Sequence, residues 1–133
     1  MVRTIILTCV FFISSPAEAC ASLINNTPNK NTTQSCPKWE PLIAEYGLPV
    51  KWASQTMWRE SRCKERVVSK PNGDGTTDIG LMQINSSWRT VTQAVCATTN
   101  HRVALRKARC NLAVAKYLYA NGGKHHWRGS SAK

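Results

Sequence analysis

Residues 72–88 of this 133-residue chain read NGDGTTDIGLMQINSSW, and residues 60–61, shortly before them, read ES. The segment from Lys70 to Thr77 is rich in Gly, Asn and Asp, which predicts a short hairpin or loop. Beyond Asp78 the sequence begins with small and apolar residues and then alternates, which indicates a small β element. The middle of the chain is therefore predicted to form a loop that brings two segments together beside a carboxylate.

Helical periodicity flanks this stretch on both sides. Apolar residues three or four apart predict a helix over residues 39–46, which Gly47 ends. A second helix is predicted from Pro49 to about Arg62, and a long third helix from Val103 to Tyr119, where Leu and Ala recur at helical spacing. The predicted fold class is α+β, mainly α, with a small β element.

Two carboxylates carry the candidate chemistry. Glu60 continues the apolar stripe of the second helix, where burial is expected to raise its pKa. A carboxylic acid still protonated near neutral pH can donate a proton to a leaving oxygen. Asp78, beyond the loop, supplies a second carboxylate, and two carboxylates that flank one bond can cleave a glycosidic linkage. The position of Glu60 taken alone favours a simple pairing with Arg62 or Lys64, and Asp78 taken alone can cap its own turn.

The combination of these segments resembles the lysozyme superfamily. The D-G-T-T-D-I-G and Q-I-N-S-S-W elements look like animal C-type lysozymes. E-S together with G-L-M-Q is equally similar to the lysozyme-like lytic transglycosylase domains of bacteria and phages. C-N-L-A at residues 110–113 and G-K-H-H-W at residues 123–127 also resemble the C-terminal half of C-type lysozymes. The resemblance covers about Cys36 to Trp127 and implies a lysozyme-like fold.

The resemblance implies a role for each matching position. Glu60 matches the family's general acid, and Asp78 matches the second carboxylate of the C-type enzymes, which transglycosylase domains often lack. Asn72 matches a loop asparagine near that carboxylate. Gln83 and Asn85 match residues that line the sugar cleft, and Trp88 and Trp127 match tryptophans beside it. Trp127 is also a candidate core residue, because large aromatic side chains dominate protein cores.

The cysteines depart from the C-type pattern. The four-disulfide framework of the animal enzymes is absent and only two bridges fit, for which we predict the pairs Cys36–Cys63 and Cys96–Cys110. These bridges would join the first helix to the catalytic helix, and a loop to the last long helix. Arg89 stands where many C-type enzymes have another tryptophan. These departures favour a bacterial or phage protein over an animal one.

The N-terminus predicts export. Residues 1–19 combine an early basic residue, a short apolar run and small residues near the end, as in a secretory signal peptide. The Asn- and Thr-rich residues 20–35 predict a disordered linker, followed by a catalytic domain over residues 36–133. No other stretch is predicted to cross a membrane. Cys20 is the odd cysteine of the exported chain and suggests a lipid anchor, although the preceding Ala-Glu-Ala does not favour one.

The formal net charge of +11 indicates an affinity for polyanions, and charge alone does not choose among nucleic acid, anionic lipid and envelope polymers. The resemblance selects bacterial peptidoglycan, cleaved by a monomeric muramidase that needs no cofactor or metal and binds no specific nucleic acid. Two alternatives stay open. One is a lytic transglycosylase, which uses the same acid to form 1,6-anhydro products. The other is a non-enzymatic, basic cell-wall-binding or antimicrobial protein on the same scaffold.

Overall fold

The computed structural model describes residues 34–131. Five α-helices occur in this part of the chain: α1 (Glu40–Glu45), α2 (Val50–Ser61), α3 (Arg89–Val95), α4 (His101–Ala104) and α5 (Ala108–Ala120). Two short strands, β1 (Asp78–Ile79) and β2 (Ile84–Asn85), form an antiparallel sheet. Segments of 3₁₀ helix occupy Pro37–Trp39 and Gly123–Ser131. The prediction of a mainly α architecture with a small β element is confirmed.

Helix α2 forms where its apolar stripe predicted it. Pro49 lies just before its first residue, and Ala53 and Met57 are fully buried on its inner side. Arg62 ends the helix in the left-handed conformation, at a φ of 53°, and its N–H donates to the carbonyl of Trp58. These boundaries place Glu60 in the last turn of α2.

The core is built around α5. Its buried apolar residues pack in one cluster with those of the other elements, including Leu112, Val114 and Leu118 of α5, Met57 of α2, and Ile79, Met82 and Ile84 of the sheet region. Full burial of each Leu, Ile or Met side chain contributes about 1.5–3 kcal/mol. The small sheet is therefore held against the helices through its apolar residues.

The single long helix predicted over residues 103–119 is wrong, because the chain leaves the helix between α4 and α5. Lys107 is extended, with φ −97° and ψ 130°. The N–H of Ala108, which would bond to Ala104 in a continuous helix, donates instead to the carboxylate of Glu65 at 2.7 Å. The carbonyl of Leu105 accepts from the side chain of Asn111 at 2.8 Å. Two side-chain partners thus replace the helical hydrogen bonds at the break.

The loop before β1 was predicted, but the helix after β2 was not. Residues 70–77 form the predicted loop, which a hydrogen bond from the N–H of Asn72 to the carbonyl of Thr76 closes at 2.7 Å. No element was predicted for residues 89–95, where the structure has α3. The one fully buried residue of α3 is the polar Thr92, and Val95 is exposed, so the apolar residues of this helix mark its buried side poorly.

Both predicted disulfides are confirmed. Cys36 bonds to Cys63, which lies just after α2, and Cys96 bonds to Cys110 within α5. Cys96 ends α3, so the second bridge joins two helices where a loop and a helix were expected. Closing loops of 27 and 14 residues is worth about 3 kcal/mol per bridge in the chain-entropy description.

The predicted signal peptide over residues 1–19, Cys20 and most of the predicted linker over residues 20–35 lie outside the described residues. Within residues 34–131, none of the helices has the length and apolar character that crossing a bilayer requires.

Candidate active site

A cleft of about 720 Å³ opens beside the end of α2. Residues 69–73 of the loop, β1, the turn after it and the C-terminal 3₁₀ segment form its other walls. Five of the predicted site residues line this cleft: Glu60, Asn72, Asp78, Gln83 and Trp127. The structure therefore brings the two predicted carboxylates to one cavity from segments that are separate in sequence.

Glu60 reaches the cleft from the last turn of α2. Its side chain is half-buried, and Oε1 is shielded from solvent. The neighbouring Arg62 is engaged elsewhere, because its guanidinium lies 5.3 Å from the ring centre of Trp58 and donates to the Trp58 carbonyl at 3.0 Å. The apolar stripe of α2 thus ends in a partly buried carboxyl group at the wall of the cleft.

Asp78 is held by two asparagine side chains. The amide of Asn85 donates to Oδ1 of Asp78 at 2.9 Å, and the amide of Asn72 donates to Oδ2 at 3.3 Å. A turn aspartate that caps its own backbone, the alternative for Asp78, would accept backbone N–H groups instead of these side-chain amides. Asn72 comes from the loop and Asn85 from β2, where it pairs directly with Asp78. Each oxygen of the carboxylate therefore accepts a hydrogen bond from a different segment of the chain.

Thr76 supports this arrangement from behind. Its hydroxyl accepts hydrogen bonds from the amides of Asn72 and Asn85, at 3.1 and 2.9 Å, and donates to Asp74 at 2.7 Å. The hydroxyl and then the N–H of Thr76 lower the pKa of the exposed Asp74 carboxyl. Sequence reasoning missed Thr76, since a threonine in a turn-rich segment has no feature that distinguishes it from other loop residues.

Neither a protein-family model nor a curated protein sequence matches this chain. Its function is therefore inferred from the residues of the cleft. Within residues 34–131, no group of three or more His, Cys, Asp or Glu side chains could hold a metal ion. What the cleft does present is a pair of carboxylates, the arrangement that most glycoside hydrolases use to cleave a glycosidic bond.

Gln83 lines the cleft with a constrained backbone. It has a φ of 47°, a value that side-chain-bearing residues adopt rarely, so the surrounding contacts must stabilise it. Its side-chain amide donates to the carbonyls of Gly80 at 2.9 Å and Val67 at 3.3 Å. With the amide nitrogen occupied, the carbonyl oxygen of the side chain is the group left to accept a hydrogen bond from a ligand.

Asn85 was predicted to line the cleft and Trp88 to lie beside it, and neither is among the lining residues. Asn85 donates to the carboxylate of Asp78, and so contributes to the cleft by holding that carboxylate in place. Trp88 packs edge-on against His126, with ring centres 5.7 Å apart, so it supports the wall from outside. Trp127 reaches the wall but is only 6% exposed, and its indole N–H donates to the carbonyl of Met82 at 2.9 Å. It therefore belongs to the core as well as to the cleft.

His126 is a cleft residue that sequence reasoning did not identify. Its ring makes T-shaped contacts with Trp88 and Trp127, at 5.7 and 5.9 Å between ring centres, and the ring of His125 lies 4.0 Å away. Burial lowers the pKa of His126, and the charge of His125 lowers it further. The two histidines are consecutive in a 3₁₀ segment, and their local sequence does not distinguish the one that faces the cleft.

We expect the stability of the domain to fall as the pH is lowered from about 7 to about 5. The pKa values of His101 and His126 are both lowered from 6.5 by burial, so the unfolded chain binds these protons more tightly. The associated stability is present above pH 6.5 and is lost as the pH falls through the folded-state values. Urea unfolding of the wild type and of His101→Gln/His126→Gln at several pH values measures this. The double variant should show a flatter dependence over this window, and an unchanged slope would contradict the assignment.

Proposed function

We propose that this chain has a lysozyme-like fold and is a muramidase, which hydrolyses the β-1,4 bond between N-acetylmuramic acid and N-acetylglucosamine in bacterial peptidoglycan. The observation that supports this most is that Glu60 and Asp78 line one cleft, with Asp78 held by two amide groups. The cleft volume of about 720 Å³ lies within the usual range of ligand pockets, about 300–1,000 Å³. The resemblance of residues 60–61 and 72–88 to the lysozyme superfamily supports the same activity.

In the proposed reaction Glu60 donates a proton to the leaving glycosidic oxygen while the bond to the sugar carbon breaks. Asp78 stabilises the positive charge that develops on that sugar, either electrostatically or by forming a covalent bond. A water molecule then adds to the sugar carbon and returns a proton to Glu60. The hydrogen bonds from Asn72 and Asn85 keep the carboxylate of Asp78 in one orientation, so little reorganisation is needed as the charge develops.

The products of a digest distinguish hydrolysis from the alternative reaction. A muramidase releases fragments with a reducing-end muramic acid. A lytic transglycosylase closes the sugar on its own hydroxyl and releases 1,6-anhydro fragments that are lighter by one water. We expect the reducing-end product, because Asp78 supplies the second carboxylate that a hydrolase uses. Its two asparagine partners hold that carboxylate through hydrogen bonds. Mass spectrometry of digested, purified peptidoglycan measures this, and anhydro products or an undigested wall would contradict the proposal.

Asp78→Asn is expected to lower the rate of peptidoglycan cleavage by about 10²-fold or more, since it removes the charge that stabilises the transition state. Asp74→Asn is the matched control, because Asp74 belongs to the same loop, is exposed and does not line the cleft. The control should retain at least about a third of the wild-type rate. Equal losses in the two variants would show that Asp78 acts through the structure of the loop and not on the substrate.

A further inference from the structure

A second, smaller cavity of about 200 Å³ lies outside the cleft. It is lined by Arg66, which follows α2, by Val103 of α4, and by Arg106 and Lys107 at the break before α5. None of these four residues lines the cleft. We name this cavity the Arg66 pocket.

The cations of the Arg66 pocket form no ion pair within the part of the chain that the structure describes. Arg66, Arg106 and Lys107 are exposed, and within residues 34–131 their charged groups take part in no hydrogen bond or ion pair. The carboxylate of the neighbouring Glu65 accepts the N–H of Ala108 at 2.7 Å and forms no ion pair with any of these three side chains. Three cations therefore surround one concavity without a counter-charge among the described contacts.

The pocket is also partly apolar. Val103 is 50% exposed there, and the methylene stems of the arginine and lysine side chains provide further apolar surface. A ligand that satisfies both features carries a phosphate, because a guanidinium group can donate two parallel hydrogen bonds to two phosphate oxygens. It also carries short aliphatic spacers that contact Val103.

We propose that the Arg66 pocket binds phosphodiester groups of an anionic polyol-phosphate polymer of the bacterial envelope and so retains the protein near its substrate. The choice of an envelope polymer rests on the proposed function, whereas the phosphate chemistry rests on the pocket alone. Nucleic acid is a poorer match, because none of the described residues that line the pocket has an aromatic ring to stack on a base. A membrane surface is also a poorer match, because Val103 is the one apolar residue among those described in the pocket wall, and it is too small to insert among lipids.

Titration of the protein from residue 20 to residue 133 with poly(glycerol phosphate) at physiological salt measures the affinity for the polymer and tests the proposal. The variant Arg66→Gln/Arg106→Gln/Lys107→Gln should bind the polymer at least about tenfold more weakly than the wild type. The control Lys51→Gln/Arg89→Gln/Lys124→Gln removes the same charge from exposed residues outside the pocket and should lose no more than about threefold. Equal losses in the two variants would overturn the proposal, because they would show that only the total charge matters.

Two further arms separate the ligand and the function. Two other probes are tested separately: vesicles that contain anionic phospholipid, and single-stranded DNA. The difference in affinity between the two variants should be smaller for each of these probes than for the polymer. Equal or greater discrimination on either probe would assign the pocket to that class of ligand and overturn the polymer assignment. Digestion of peptidoglycan stripped of such polymers should be the same for the wild type and the pocket variant. A wild type that binds the polymer through the pocket but digests no wall would refute the muramidase and leave the pocket assignment standing.

Discussion

Glu60→Gln is expected to lower peptidoglycan cleavage by about 10²- to 10⁴-fold, the usual contribution of a general acid. Glutamine has nearly the same shape as glutamic acid, but its amide does not release a proton to a leaving oxygen. Because Glu60 is only half-buried in the last turn of α2, the substitution should leave the fold intact. Release of soluble fragments from purified peptidoglycan measures the rate, and circular dichroism checks the fold.

Glu45→Gln is the matched control for this substitution. Glu45 is an exposed residue of α1 whose ion pair with Arg109, at 2.6 Å, lies on the surface. Such pairs contribute little to stability, so this variant should cleave peptidoglycan at close to the wild-type rate. A Glu60→Gln protein that is folded and retains more than about a tenth of the wild-type rate would refute the assignment of Glu60 as the acid.

Asn111→Leu is expected to lower the free energy of unfolding by about 3–6 kcal/mol, because it leaves several buried backbone groups without partners at about 1–3 kcal/mol each. Asn111 is fully buried, and its side chain accepts the N–H of Met82 and donates to the carbonyls of Ile79 and Leu105, each at 2.8 Å. Total stabilities are about 5–15 kcal/mol, so a large share of the chain should be unfolded at moderate temperature. Urea unfolding with both disulfides intact gives the value.

The surroundings of Asn111 leave little space for an adjustment. A Cβ added to Gly80, which has a φ of 78°, would lie 2.3 Å from both the Asn111 amide nitrogen and the Leu105 carbonyl oxygen. As a control, Asn121→Leu makes the same change at an exposed asparagine whose side chain donates to the Tyr117 carbonyl. That change should cost less than about 1 kcal/mol. A comparably small loss in Asn111→Leu would show that the three hydrogen bonds contribute little.

Helix α2 shows how much of the site could be predicted from the sequence. Its apolar stripe marked Ala53 and Met57 as buried and placed Glu60 on the same side, and these positions agree with the structure. Such predictions succeed because the alternation of apolar and polar residues along a helix is a local property. The two disulfide pairs were also predicted, and both form in the structure. The resemblance to the lysozyme superfamily contributed to that prediction, but the disulfides are not evidence for the resemblance.

The cleft itself was predicted less completely. Asn85 was expected to line it and instead holds Asp78 from behind, while Thr76 and His126 were not identified at all. These positions depend on how β2 and the C-terminal 3₁₀ segment approach the loop. Local sequence indicates the type of each side chain there, but the direction in which it points depends on those approaches.

The sequence by itself determined the class of the fold, the position of α2 and the two carboxylates that the proposed reaction uses. Only the tertiary structure decided where the predicted long helix breaks, because the decisive partners come from a distance. Glu65, 43 residues before Ala108, takes the N–H that would continue the helix. Asn111 bonds to Ile79, 32 residues away, and so ties α5 to β1. Periodicity shows which face of a helix is apolar, but it contains no information about a distant side chain that competes for a backbone hydrogen bond.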